Sequence, residues 1–338
     1  MAKPRRATVG FVQFLLGIFF SGLVSVVPAL LYAFLLWWAD RYEREPLALV
    51  VAAFLWGAGP AAALALMGEA LLDLPISVLG LGLAGEIASA SGTAPLVEET
   101  VKGLALVGLL FFSYREFDDV LDGIVYGGVV GFGFAMTENF LYFLGAFLSG
   151  GVGQWALLVV VRGVVFGLNH AFYTAFTGAG LGLARQWGLS GRGLAVAVLG
   201  YVCALAFHGI HNLGSTLSSA APLALLLSLV SDAGGILVVL AILVLALRRE
   251  RQWIAEELKG EIGEVLTEEE YTCLLAPGRA ARRLCWPLGG RRAELLTELA
   301  FRKAQARGAG RDPAHDPSVL ALRQKVAGPP QGAAPSTT

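Results

Sequence analysis

Charge is what this chain lacks most. Only 15% of its 338 residues are Asp, Glu, Lys or Arg, against about 25% in an ordinary soluble domain. Histidine is limited to four residues and cysteine to three. Cys203 lies in an apolar stretch, and Cys273 and Cys285 lie near the carboxyl end. Those spacings build neither a disulfide framework nor a thiolate zinc site. Net charge is −1, and no basic field or RNA-binding motif is present, so no nucleic-acid partner is expected. Two more absences narrow the chemistry. There is no H-E-x-x-H zinc-protease helix, and no G-x-S-x-G or Ser-His-Asp arrangement.

What fills the space is apolar. Hydrophobic residues make up 56% of the chain, and mean hydropathy is +0.67. The charges that do occur are segregated: 15 Lys/Arg and 12 Asp/Glu lie from Arg248 onward, about half of the total. A bilayer crossing needs about 20 apolar residues. Such runs are read at 10–38, 47–72, 95–113, 120–147, 155–184, 194–217 and 222–247. The stretch 76–92 is shorter, carries Glu86 and ends in Ser-Ala-Ser-Gly. It reads as an eighth span, a re-entrant segment or an interfacial helix. The first run is too long for the apolar core of a signal peptide and reads as a retained span. The expected fold class is all-α: a polytopic helical membrane protein with seven or eight transmembrane helices.

The charge boundary divides the chain into a transmembrane domain over 1–248, a cytoplasmic helical tail over 249–306 and a disordered C-terminus over 307–338. In the tail, Thr267 to Glu270 has the form of a capping box, and Ala293 to Ala306 carries apolar residues at helical spacing. Beyond Gly308 the Gly, Pro, Ala and Ser content predicts disorder. Lys/Arg asymmetry of short loops sets orientation. With the tail in the cytoplasm, the loops holding Arg115, Arg185 and Arg192 also fall inside, and loops 148–154 and 213–222, free of Lys and Arg, fall outside. Eight spans would place Lys3, Arg5 and Arg6 inside and Arg41 and Arg44 outside; seven would place the first three outside.

Against this background the polar residues inside the spans stand out. Glu98, Glu99 and Lys102 open one span, Glu138 and Asn139 sit in the next, His170 follows, and then His208, His211 and Asn212. An ionisable side chain in hydrocarbon costs roughly 2.5–3.5 kcal/mol even on insertion scales. Four successive spans bearing that cost imply one shared polar cavity. Depth agrees: Glu138 and His208 lie roughly 14 Å, and His170 roughly 12 Å, from the outer surface at the helical rise, if Arg162 snorkels to that surface. Glu98 is shallower unless its helix starts before Ala94. Residues four apart share a helix face, which pairs Glu98 with Lys102, Glu138 with Tyr142, His170 with Thr174 and His208 with Asn212. The Asn212 amide oxygen is placed to orient the His208 imidazole. His208 and His211 form a further, weaker metal-ligand spacing. Gly127, Gly131, Gly178 and Gly182 permit close helix approach. Three readings stay open on these grounds: an enzyme, a proton-coupled transporter, which uses buried Glu and His as relays, and an inactive membrane scaffold.

The residues also resemble a known family. Asp40-Arg-Tyr-Glu-Arg-Glu-Pro46, Glu98-Glu99-x-x-Lys102, Phe117-Asp-Asp-Val-Leu-Asp122-Gly, Phe134-x-x-x-Glu138-Asn139, His170-Ala-Phe-Tyr-Thr174 and His208-x-x-x-Asn212 are similar, in order, to the motifs of the PrsW family of intramembrane proteases. That family sits in the larger group that includes the CAAX prenyl endopeptidases. The resemblance implies peptide-bond hydrolysis of a membrane-anchored protein substrate at the lipid bilayer, in a bacterial-type cell membrane. It implies as site residues Glu98, Glu99, Lys102, Glu138, Asn139, His170, His208 and Asn212. Two mechanisms are compatible with it. A divalent metal, zinc foremost, would be held by Glu138, His170 and His208 with Glu99 as base. Alternatively Glu98 or Glu99 would activate water directly, with His208 and Asn212 at the oxyanion.

Overall fold

Among the described residues of the computed structural model, every regular element is a helix, apart from one isolated bridge between Ile262 and Leu266. The described residues are 3–327 without 41, 43, 114, 189 and 277–289, with side chains from Phe11 onward. The side chains of Lys3, Arg5 and Arg6, all of Arg41 and Cys285, and the expected disorder over 328–338 lie outside them.

Among the described residues, five helical stretches are long and apolar enough to cross a membrane: Phe11–Ala39, Leu47–Leu79, Val120–Gln186, Gly191–Leu217 and Pro222–Lys259. Large apolar side chains such as Phe19, Leu71 and Val230 stand exposed on them, as a lipid-facing surface requires. The first is α1 (Lys3–Ala39). The second joins α2 (Leu47–Trp56) to α3 (Ala62–Leu79) through a π-helical turn at Gly57–Ala61, where Pro60 removes a backbone donor. Gly80 ends α3 with a left-handed φ of 60°, a conformation that favours glycine.

The expected separate element over 76–92 is corrected here. Its first residues belong to the end of α3. The rest form α4 (Leu83–Ala88) and a π turn (Ser89–Thr93) that runs without a break into α5 (Ala94–Phe112). The helix carrying Glu98 therefore starts well before Ala94, which places that residue deep in the helix.

The third stretch, at 67 residues, would extend roughly 100 Å as one helix, three times the bilayer core. It is interrupted twice. Within α6 (Val120–Leu158), Gly151 has φ 69° and breaks the rod. A π turn (Val159–Val165) then leads to an irregular corner at 166–168 before α7 (Asn169–Gln186). The expected span 155–184 is thus discontinuous, with its corner just ahead of His170. α8 (Gly191–Leu217) and α9 (Leu225–Lys259) complete this part.

The acidic strings outside the spans have structural tasks. Asp119 caps α6, accepting from the Leu121 and Asp122 amides, and Asp122 returns a bond to the Asp119 amide. Glu45 accepts from the Tyr126 hydroxyl, and its carbonyl accepts from Trp37 Nε1 at 2.9 Å. Glycine then sets the spacing of α6 and α7. A β-carbon at Gly127 would stand 2.6 Å from the Thr174 carbonyl oxygen, and one at Gly131 would overlap the His170 carbonyl. The backbone bearing His170 is thereby drawn against α6.

Compact unit 1 comprises 1–39, 45–185 and 189–243; unit 2 comprises 40–44, 186–188 and 244–338. In unit 2 the end of α9 continues to Lys259, followed by α10 (Glu268–Leu274), α11 (Gly290–Gly308) and α12 (Pro317–Ala327). The disorder expected from residue 307 is corrected for 317–327. Val319, Leu322 and Val326 of α12 join Ile254, Leu258, Leu296, Leu299 and Phe301 in one apolar core. Burial of that stripe stabilises a helix that composition alone disguises. Arg292 ties the unit together, donating to the Val326 and Val265 carbonyls at 2.7 and 2.9 Å and to Glu270 at 2.8 Å.

Glu270 closes the capping box with Thr267. Burial acts to raise its pKa, but the Arg292 guanidinium and the Thr267 amide outweigh it and hold the carboxyl below its ordinary 4.5. A depressed carboxylate contributes stability above its unfolded pKa that is lost as pH falls through the folded one. Hydrogen exchange of α11 in the full chain should therefore accelerate below about pH 4.5, and Glu270→Gln should flatten that acid limb. An unchanged limb would show that Glu270 does not couple to the fold.

Candidate metal centre

Three helices deliver one polar cluster. On α5, Lys102 is three residues from Glu99 and four from Glu98, so one ammonium reaches both carboxylates. Its Nζ lies 2.5 Å from Glu99 Oε1 and 3.4 Å from Glu98 Oε2. The Phe134 ring of α6 covers it at 4.3 Å. Glu99 and Lys102 are fully buried, while Glu98 keeps 5% exposure and faces a cavity of about 460 Å³. His170 and His208, from α7 and α8, line the same cavity. Their rings are 5.2 Å apart and nearly perpendicular.

The hydrogen bonds assign the imidazole protons. Lys102 has only donors and stands 3.2 Å from His170 Nδ1, so that nitrogen accepts. The His170 proton is then on Nε2, which donates to Glu138 Oε2 at 2.7 Å. His208 Nδ1 lies 3.0 Å from Glu99 Oε1; a carboxylate only accepts, so Nδ1 carries the proton and Nε2 keeps its lone pair. The two lone-pair nitrogens, His170 Nδ1 and His208 Nε2, stand 3.7 and 3.9 Å from Glu98 Oε2. Such spacings fit donors around one small cation bound at about 2.0–2.2 Å. Glu98, Glu99, His170 and His208 each offer a ligand atom within 4.8 Å of the others. Each histidine also donates its other N–H to a carboxylate, the arrangement that orients metal-bound imidazole. The donor set therefore fits a divalent metal in type, spacing and support. Lys102 borders the position, its Nζ lying 3.2 Å from His170 Nδ1 and 3.4 Å from Glu98 Oε2, with its shortest bond to Glu99.

Several expectations change. Glu138, expected as a ligand, is outside the group of four. Its Oε2 is held by Arg162 Nη2 at 2.6 Å as well as by His170, which makes it the carboxylate that orients His170. Arg162 does not snorkel outward: it bonds Glu138, donates to Asn139 Oδ1 at 3.1 Å and lies over the Tyr142 ring at 4.0 Å. Asn139 is thus a support for Arg162. Glu99, expected as a base, does not line the cavity; Lys102, His208 and the Thr174 hydroxyl at 3.1 Å occupy its oxygens. Asn212 makes no hydrogen bond to His208 among the described residues. Its Nδ2 donates to the Ala90 carbonyl at 2.8 Å, tying α8 to the π turn ahead of α5. His208 is steered instead by Glu99 and by the Tyr173 ring, stacked at 4.7 Å.

Sequence reasoning missed Asp232 of α9, which accepts from the Tyr173 hydroxyl at 3.2 Å, and Glu69 of α3, on the cavity wall. Asp232 is a lone acid in an apolar run, and Glu69 shares its run with Asp73 four residues on, the one signal available. A second, largely apolar recess of about 470 Å³ adjoins the polar cavity and shares Glu69, Glu98, Glu138 and Tyr142 with it.

Comparison with known proteins locates the similarity in unit 1. Residues 45–247 match the profile of the PrsW family intramembrane metalloprotease. The chain is 35% identical over 159 residues to Protease PrsW of Geobacillus kaustophilus (strain HTA426), covering 45% of this chain and 63% of that protein. It is 30% identical over 155 residues to Protease PrsW of Clostridioides difficile (strain 630), again covering 45% and 63%. Protease PrsW of Bacillus subtilis (strain 168) is 28% identical over 159 residues, covering 45% and 65%. The chain thus spans somewhat under two thirds of the length of these relatives. No solved structure matches.

The inequivalence of the two adjacent glutamates is testable. With the native cysteines replaced, Glu98→Cys should react with a small water-soluble thiol reagent, and Glu99→Cys should stay unmodified in the folded protein. Equal labelling would contradict the assignment of Glu98 as the cavity-facing carboxylate.

Proposed function

Because the chain belongs to the PrsW family of intramembrane metalloproteases, we propose that it is an intramembrane endopeptidase acting on a membrane-anchored protein. The observation that carries this reading is the convergence of two imidazole lone pairs and the Glu98 carboxylate on one buried, cavity-facing position. His170 Nδ1, His208 Nε2 and Glu98 Oε2 would hold the metal, zinc being the ion that such a two-His, one-carboxylate set suits. When bound, the ion would bring water toward ionisation near neutral pH and polarise the scissile carbonyl.

The chain's own residues do the rest. Glu138 and Glu99 fix the two ring orientations. Lys102 neutralises charge behind Glu98 and Glu99. Arg162 holds Glu138 in place. The apolar recess beside the cavity suits the hydrophobic side chains of a substrate segment entering from lipid. His208 Nδ1 and Asn212 Nδ2 are committed to Glu99 and Ala90, which disfavours an oxyanion site made of those two residues without a metal. The transporter reading calls for paired broken helices in inverted repeats, and the single corner at 166–168 does not supply a pair among the described residues.

The topology we infer has seven crossings, since 76–92 merges into its neighbours, with unit 2 in the cytoplasm of a bacterial cell. The wider kinship with the CAAX prenyl endopeptidases rests on the shared order of Glu-Glu and His motifs.

The test is elemental analysis beside cleavage of a single-span peptide in lipid. Wild type should hold about one zinc per chain, a set that His170→Ala removes. Glu138→Gln should keep the metal with about 10- to 100-fold weaker affinity, as loss of an orienting carboxylate does. Cleavage that survives exhaustive chelation, with no stoichiometric metal in wild type, would refute the metal site.

A further inference from the structure

A second buried cluster lines the same cavity and has no task in the reading above. His211 lies one turn beyond His208 on α8 and is 7% exposed. Its Nδ1 stands 2.7 Å from Asp232 Oδ2 on α9. The Tyr173 hydroxyl donates to the other oxygen of Asp232, and the Tyr173 ring neighbours both imidazoles, at 4.7 Å from His208 and 6.4 Å from His211. Asp232 is 3% exposed, so its carboxylate is held by donors and not by water. Because a carboxylate accepts, His211 Nδ1 carries a proton, and Nε2 is the atom left for exchange. Asn169 Nδ2 stands at the ring, 3.2 Å from Nδ1 and 3.3 Å from Nε2, and Ser215 Oγ lies 3.4 Å from Nε2. Phe166 packs against the ring at 4.8 Å, and the Ser228 hydroxyl donates to the His211 carbonyl at 2.6 Å. Asn169, also on the cavity wall, has a buried Oδ1 with no hydrogen-bond partner among the described residues. That end of the cavity therefore has an acceptor awaiting a donor.

A tie between α7, α8 and α9 needs no ionisable pair; a neutral amide would serve at less desolvation cost. An imidazole held by a buried carboxylate, with its second nitrogen toward a cavity, is an arrangement for moving a proton. A bound metal would supply the attacking oxygen with its activation, but a peptide nitrogen cannot depart as an anion.

We propose that His211 is the catalytic general acid for the departing nitrogen and that Asp232 is its positioning residue. The inference rests on the hydrolase reading. The water oxygen bonds to the carbonyl carbon as one of its protons passes to Nε2 of the neutral His211 imidazole. The C–N bond breaks with its electron pair on nitrogen, and protonated His211 donates from Nε2 to that nitrogen. The imidazole is left neutral, as it began. The sum is one water added, one acid and one amine formed, with no change of oxidation state. Asn169 Oδ1 accepts from the N–H of the departing group.

The experiment compares a single-span peptide with its ester analogue, in which the scissile NH is replaced by oxygen. An alkoxide leaves with far less need of protonation. His211→Gln should lower the amide-to-ester rate ratio roughly a hundredfold, the lower range of general acid catalysis. Asp232→Asn should move the ratio the same way by a smaller factor, and provides an independent reading if His211→Gln does not fold. Ser228→Ala, which loosens the same cluster without touching the ring, should leave the ratio where it is. Equal losses on both substrates in His211→Gln and Asp232→Asn, or no loss, would overturn the inference and leave the hydrolase reading standing. A wild type that cleaves neither substrate would overturn both.

Discussion

The structure of unit 1 depends on the Lys102 ammonium. Two adjacent carboxylates buried between helices repel one another and are each costly to desolvate. Lys102 reaches both from the next turn of the same helix, so the compensation is local to α5 and needs no folding partner to begin. What folding adds is the second layer: His208 and Thr174 on Glu99, and His170 between Lys102 and Glu138. Glu138 in turn has its own cation in Arg162. Each charge is thus paired before it is used: of the three cavity-facing donor atoms, Lys102 borders His170 Nδ1 and Glu98 Oε2, and His208 Nε2 keeps its lone pair toward the cavity.

Backbone irregularity clusters around this network. A π turn precedes α5, another precedes the corner before α7, and the first helix pair carries a third. Such turns are frequent at functional sites. Here one leads into α5 and another into the corner before α7, the helices that bring Glu98 and His170 to the cavity, and the Asn212–Ala90 hydrogen bond holds the first. The glycine row of α6 has the complementary role, admitting the α7 backbone close enough for His170 to reach Glu138 and Lys102.

The gathering of Glu98, Glu99, Lys102, Glu138, His170 and His208 was legible in the sequence, because ionisable residues at similar depth in neighbouring spans have few alternatives to meeting. Their individual roles were not. Depth fixes position along the membrane normal but not rotation about a helix axis. Rotation decides that Glu98 faces the cavity while Glu99 faces the interior, and that Glu138 supports His170 from behind. Partners from distant helices, Arg162 and Asp232, leave no spacing signal at all. Asn212 has the right spacing from His208, yet its amide goes to a backbone carbonyl that only the fold brings near. In unit 2 the capping box of Thr267 and Glu270 was readable locally. α12 was hidden by the Gly- and Pro-rich residues on either side, although Val319, Leu322 and Val326 do keep a helical spacing.

The central claim, that Lys102 and Glu99 form the coupled core on which the site is built, is tested by a double-mutant cycle on unfolding free energy in lipid. Lys102→Met and Glu99→Gln should each cost about 3–5 kcal/mol, because each strands a buried charge. The double variant should cost clearly less than the two together, since the Glu99–Lys102 pair is then absent from both sides and only Glu98 loses its ammonium. Strictly additive losses would show that the two groups do not depend on one another and would contradict the account.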